Sequence, residues 1–284
     1  MGMIFLHSLN RLWGQILGWG LSLAALGAFL VGFYDSIAGQ QSQLIEMMKQ
    51  YPPELMAMFG GMEDLGSPAG FLNIEFFSYM PIILGIFAIL FGSGLLVGDE
   101  ESGTLDLVLA HPVSRSGYYW GRLMAFTLAT MLILVITWLG FIIFIPGTTM
   151  EISALEMATP FMALTALLLL FGTLALLLSM LLPSRRLAAT VAGMLMVASF
   201  FITGFARLDE NLEAVNRFSP MNYYQGGHAL NGLNWEWVAG LLGFSLLFAL
   251  VAWWLFQRRD IRVGGEGGWG LPKISWRRTK EQVI

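Results

Sequence analysis

The sequence predicts an all-α integral membrane protein with six transmembrane helices, and three observations carry that expectation. Apolar residues make up 56% of the 284-residue chain. Charged residues make up 12%, about half of what a soluble domain carries. Six stretches are apolar over roughly the 20 residues that a helix needs to cross about 30 Å of hydrocarbon. A closed β-barrel is the other backbone arrangement that lipid tolerates, but these runs do not alternate apolar with polar positions.

The spans fall at about 16–33, 76–97, 123–145, 161–182, 187–205 and 238–256, and the chain, 1–284, reads as a single membrane domain. The first span is long for a signal peptide and lacks its small-residue cleavage site, so it reads as a retained anchor. The loop after it holds Leu44, Ile45, Met47 and Met48, then Pro52 and Pro53, then Leu55, Met56, Met58 and Phe59. Apolar residues at that spacing predict two short amphipathic helices on the outer surface, broken at the prolines. The methionines read as flexible apolar packing rather than a soft-metal site, since the chain has no Cys and no His lies near them. In the last outer loop Leu208, Leu212 and Val215 form a helical stripe, and Tyr223, Tyr224, Trp235 and Trp237 suit the membrane interface. His228 reads there as a lone polar group at the interface.

Six spans place both termini on one side, and basic residues choose which. Every Lys and Arg except Lys49, Arg207 and Arg217 lies in the termini, in the 98–122 loop or in the "PSRR" turn. The positive-inside rule makes that side, and both termini, cytoplasmic.

No Asp, Glu, Lys, Arg or His lies inside any of the six spans. Proton relays, ion-coupled carriers and voltage sensors use ionisable groups at depth, so the energy for any transport comes from elsewhere. The chain also lacks G-x-x-x-x-G-K-[ST], G-x-S-x-G and H-E-x-x-H, which excludes a nucleotide site or a hydrolase centre on these signatures. No catalytic residue, metal ligand, cofactor or nucleic-acid partner is expected on this chain. Hydroxyls are then the main side-chain polarity at depth. Ser93, Thr127, Thr130, Thr137, Thr165, Thr173 and Ser199 are candidate linings of a translocation path, though each is also able to bond its own helix backbone.

The stretch "GDEESGTLDLVLAHPVSRSGYYWGR" interrupts this apolar pattern between the second and third spans. Asp99, Glu100 and Glu101 oppose the dipole of the helix they follow but suit the start of another, where Ser102 or Thr104 caps. Leu105, Val108 and Leu109 then form one apolar edge, Pro112 ends it, and Ser114 or Ser116 caps the helix that follows. Tyr118, Tyr119, Trp120 and Arg122 sit at the interface as that helix enters the third span. The result is a short helix pressed on the cytoplasmic face with one side available to a partner. Periodicity alone fits a solvated connector equally well.

The order of residue types in this stretch resembles the cytoplasmic segment of ABC-2-type transporter permeases. That pattern is an acidic cluster, Gly-Thr-Leu, an apolar run, Pro-Val-Ser-Arg, and a Gly with a basic residue opening the third span. The matching residues are Glu101, Gly103, Thr104, Leu105, Pro112, Val113, Ser114, Arg115, Gly121 and Arg122, with Arg122 where the family usually has Lys. "YPPELMAMFGG" and "SPMNYY" also look like that family's outer segments. The resemblance implies a permease subunit of an exporter in a prokaryotic plasma membrane. It implies pairing with a second permease copy, as homodimer or heterodimer, and with two separate ATP-binding-cassette subunits that carry ATP and Mg. Glu100, Glu101, Gly103, Thr104, Leu105, Val108, Leu109, Pro112, Val113, Ser114 and Arg115 would then form a coupling helix that docks on the ATPase, with Leu105, Val108 and Leu109 as its apolar centre. Gly85, Gly92, Ser93 and Gly94 would allow close contact with the second copy. The alternatives are an ion-gradient-driven secondary transporter and a non-catalytic membrane assembly factor. The cargo is not encoded in the motif.

Overall fold

The computed structural model describes residues 2–38, 52, 67–105 and 113–258. Its helices are α1 (Gly2–Ala38), α2 (Pro68–Leu72), α3 (Met80–Gly94), α4 (Val97–Glu101), α5 (Arg115–Ile142), α6 (Ala154–Leu181), α7 (Arg185–Phe205), α8 (Glu213–Asn216) and α9 (Trp235–Arg258). No strand occurs among the described residues. Five helices, α1, α5, α6, α7 and α9, are each long and apolar enough to cross a membrane. A sixth candidate crossing is composite: α2 and a π-turn over Asn73–Phe77 meet α3 at a 40° bend. Helices α1, α7 and α9 contain the spans expected at 16–33, 187–205 and 238–256, with α1 running furthest past the ends of its span. Helices α3, α5 and α6 stop one to three residues before the expected ends at 97, 145 and 182. At 1.5 Å per residue α1 is about 55 Å long, because helical hydrogen bonding does not stop where apolarity stops. The amphipathic helices expected around Pro52 and Pro53 fall outside the described residues.

The core is organised around α6. Within its most apolar stretch 72% of positions are buried, against 28–44% in the other four long helices. It packs against α3, α9, α7 and α5, while α1 packs mainly on α5. Glycine makes the tightest of these crossings possible. A Cβ at Gly92 of α3 would overlap the carbonyl oxygen of Gly172 in α6, and one at Gly140 of α5 would overlap the Ala24 backbone in α1. A Cβ at Gly85 would collide with Met196 of α7. The small residues read as a contact for a second copy are therefore spent inside one chain at Gly85 and Gly92.

The bend between α2 and α3 has an identifiable cause. Pro81 has no N–H to offer the carbonyl of Phe77 four residues before it, and its ring crowds that oxygen. Tyr224 fills the vacancy from the other end of the sequence, donating its hydroxyl to the Phe77 carbonyl at 3.0 Å. Burial raises the Tyr224 phenol above its ordinary pKa, so the donor stays protonated. One turn earlier, Asn73 accepts from the Gly227 N–H at 2.9 Å and lies 3.4 Å from His228 Nε2. His228, read from the sequence as an interfacial polar group with no partner at ligand spacing, has the Asn73 amide from a distant segment as its neighbour. The approach is close enough that a Cβ at Gly227 would sit 2.7 Å from the Asn73 Cα, and Gly226 takes φ +55°. Beneath this contact Phe76, Phe77, Phe141 and Phe161 pack edge-on and stacked, with centroids 5.0–6.4 Å apart. At the same end Asp35 accepts from the N–H and hydroxyl of Thr149 at 2.8 and 2.7 Å, tying α1 to the segment after α5.

Gly92→Val should lower the melting temperature of the detergent-purified chain, since overpacking costs about 1–3 kcal/mol. Gly193→Ala, whose Cβ would meet nothing within 4 Å, is the control and should melt no lower than the parent. Equal melting of both variants would mean that the α3–α6 crossing is looser than the backbone contact indicates.

Candidate functional site: the charged end of the bundle

Helix α3 stops at Gly94, a turn at Leu95 and Leu96 follows, and α4 begins at Val97. This break reconciles the acidic cluster with the helix dipole: Asp99 and Glu100 fall in the first turn of a new helix, where negative charge is favourable. Asp99 is the centre of the site. It accepts from the Tyr118 hydroxyl and from Arg122 Nη2 in short contacts, and Arg11 Nη1 of α1 lies 3.9 Å away. Side-chain exposure is 15% for Asp99 and 12% for Arg122, so this is a largely buried ion pair. Arg122 Nε also donates to the Leu95 carbonyl at 2.9 Å, which closes the C-terminal end of α3. Its guanidinium stands 5.7 Å from the centre of the Tyr118 ring.

The Gly-Thr-Leu that follows is a helix stop with an anchor. Gly103 takes φ +69°, the left-handed conformation that ends helices cheaply only in glycine. Ser102 and Thr104 donate their hydroxyls to the Asp99 carbonyl at 3.1 and 3.2 Å. Leu105 then turns inward and is 1% exposed within the main hydrophobic cluster. This corrects the reading of Leu105 as part of an apolar edge offered to a partner: its contact is with its own chain. Val108, Leu109 and Pro112 lie outside the described residues. Glu101 faces α7, where Arg185 contributes its backbone N–H and its Nε, each at 3.2 Å. Glu100 is buried rather than displayed.

On the far side of the segment, half-buried Val113 packs on the main cluster and Ser114 is the N-cap of α5, accepting from the Gly117 N–H at 3.0 Å. Arg115 Nη1 donates to the Phe256 carbonyl at 3.4 Å, near the end of α9. Ser116 accepts from Trp253 Nε1 at 3.2 Å, and Tyr119 donates to the Ala249 carbonyl at 2.6 Å. The pairing of this stretch with α9 had no signal in the local pattern.

The hydroxyls proposed for a path are mostly turned onto their own helices. Ser93, Thr130, Thr137, Thr165 and Thr173 donate to the carbonyls of Leu90, Phe126, Ile133, Phe161 and Leu169 at 2.7–3.2 Å. All but Thr165 of these are buried within the chain, as is Ser199, and Thr127 is half-buried. Thr165 lines a lateral apolar groove between α5, α6 and α9. None of the seven lines the cleft at the charged end. That cleft lies between α1 and α3 and has a volume of about 750 Å³.

Residues 13–261 match the family model described as ABC-2 family transporter protein. A relative, the uncharacterized protein YhcI of Bacillus subtilis (strain 168), is 22% identical over 204 residues, which are 63% of this chain and 65% of that protein. The chain thus spans just under two thirds of that relative's length.

Asp99→Asn leaves Arg122 buried without its counter-charge and should destabilise the purified chain by about 3 kcal/mol. Combined with Arg122→Gln the cost should fall short of the sum of the two single variants by about 1–3 kcal/mol, read from denaturant melts of all four proteins. Strict additivity would show that the two side chains act independently.

Proposed function

Because the chain belongs to the ABC-2 transporter family, we propose that it is the permease subunit of an ABC exporter and that the segment from Asp99 to Arg115 couples it to its ATPase. Two ATP-binding-cassette subunits bind ATP and Mg and dock at the charged end, which is the cytoplasmic end of a plasma-membrane protein by the positive-inside rule. A second permease copy completes the assembly. The path runs between the copies, in keeping with path hydroxyls that are already bonded within one chain.

One observation carries the coupling. The flanks of the segment are bonded to four different helices: Asp99 to α1 and α5, Glu101 to α7, and Arg115 to α9. A displacement applied between those flanks is passed to the whole bundle rather than absorbed in a loose loop. Buried Leu105 fixes where the segment leaves the core, and Val108 and Leu109 supply the apolar contact for the ATPase.

The docking variants are therefore Val108→Ala and Leu109→Ala, with Leu105→Ala as the contrast. The first two should keep the parent's melting temperature and lose co-purification with the cognate ATPase, as expected when an anchor worth about 2 kcal/mol is removed. Cargo-stimulated hydrolysis falls with it. Leu105→Ala should instead lower stability by about 2–5 kcal/mol, the cost of truncating a buried leucine. Full ATPase retention and stimulation in both docking variants would make the segment a connector only.

A further inference from the structure

We propose that the cleft between α1 and α3 holds one anionic phospholipid, drawn from the leaflet at the charged end of the bundle. The cleft, at about 750 Å³, falls within the range of roughly 300–1,000 Å³ in which proteins hold discrete ligands. Its two ends differ in chemistry. One end carries Arg11, Arg122 and Arg185 against Asp99 and Glu101, an excess of positive charge. Both carboxylates are already engaged, Asp99 by Arg122 and Tyr118, Glu101 by Arg185. Arg11 reaches Asp99 only at 3.9 Å, and its side chain is 71% exposed, so it is the cation positioned to take an anionic head. The other end is apolar, with Trp19 on α1 facing Ile86 and Leu90 on α3.

A second observation points to an occupant. Ser8 is among the residues at the charged end of the cleft, and its Oγ, buried beneath the cleft surface, has no hydrogen-bond partner among the described residues. A buried hydroxyl without a partner is unfavourable, and a change of the Ser8 rotamer that turns it into the cleft would give it a glycerol or phosphate oxygen beside Arg11 to bond. The dimensions select a lipid over a free anion. From Ser8 to Trp19 the α1 wall runs about 16 Å at 1.5 Å per residue. That matches one leaflet's share of the hydrocarbon, about 15 Å. A bare phosphate would leave the apolar half of the wall unused. The site does not depend on ATP-driven transport, so it is measured on the permease alone.

The full chain is reconstituted in nanodiscs with phosphatidylglycerol bearing a diazirine near the end of one acyl chain. After illumination the adducts are mapped by mass spectrometry, and phosphatidylcholine with the same chain is the comparison. Adducts should concentrate between Leu12 and Trp19 and between Ile86 and Phe91. The anionic lipid should label about fivefold more than the zwitterionic one, the effect of a single interfacial arginine. Arg11→Gln should abolish that preference, and Leu90→Trp, which fills the apolar end, should reduce labelling by both lipids. Both side chains are exposed, and unchanged melting temperatures confirm that the variants fold. The proposal is overturned by adducts spread evenly over the lipid-facing sides of α7 and α9, or by equal labelling from both lipids. Protection by inorganic phosphate would likewise overturn it, by making this an anion site rather than a lipid site.

Discussion

A carbonyl oxygen released inside a bilayer has no water to bond, and the candidate crossing built from α2 and α3 is broken at two places. At one break Pro81 releases the Phe77 carbonyl, and the Tyr224 hydroxyl, 147 residues away in sequence, takes it. At the other break, at the charged end, the chain turns at Leu95, and Arg122, 27 residues on, takes that carbonyl. Much of the irregular structure serves these two bonds. Tyr224 reaches its acceptor because the Gly226–Asn231 turn lies directly on Asn73. Arg122 sits at the Leu95 break because Asp99 balances its charge there.

The break at Leu95 also explains why arginine serves well at position 122, where the motif resemblance leads one to expect lysine. One guanidinium meets two acceptors in different directions, the Leu95 carbonyl through Nε and the Asp99 carboxylate through Nη2. A single ammonium at the end of a flexible stem would have to divide itself between them. The acidic residue nearest the break is thus structural, while Glu101, half-exposed and paired to Arg185, is the one whose bond water and salt can reach.

The spans were legible in the sequence because length and apolarity are local properties, and so was the Ser114 cap, which lies three residues from the amide it serves. The pairings that build the charged end were not. Asp99 with Arg122, Glu101 with Arg185 and Arg115 with the Phe256 carbonyl join residues from different helices, and no local period encodes them. Leu105 shows the limit most clearly. Spacing identified it as apolar-edged, but spacing says which side of a turn is greasy and not what covers it. The same holds for the glycines of α3, whose small size was evident while their partners, Met196 and Gly172, were not.

The backbone contacts at Gly92 and Gly140 have a mechanical consequence. Helices that touch backbone to backbone cannot slide along one another without a collision, so α3 moves with α6, and α1 moves with α5. With α7 and α9 packed on α6, each of these pairs then behaves as one stiff lever rather than two independent rods. Their shared seam runs from the phenylalanine cluster at one end to the Asp99–Arg122 pair at the other. The cleft between α1 and α3 opens on that seam, with one wall on each lever. Any rocking of the levers widens or narrows it directly.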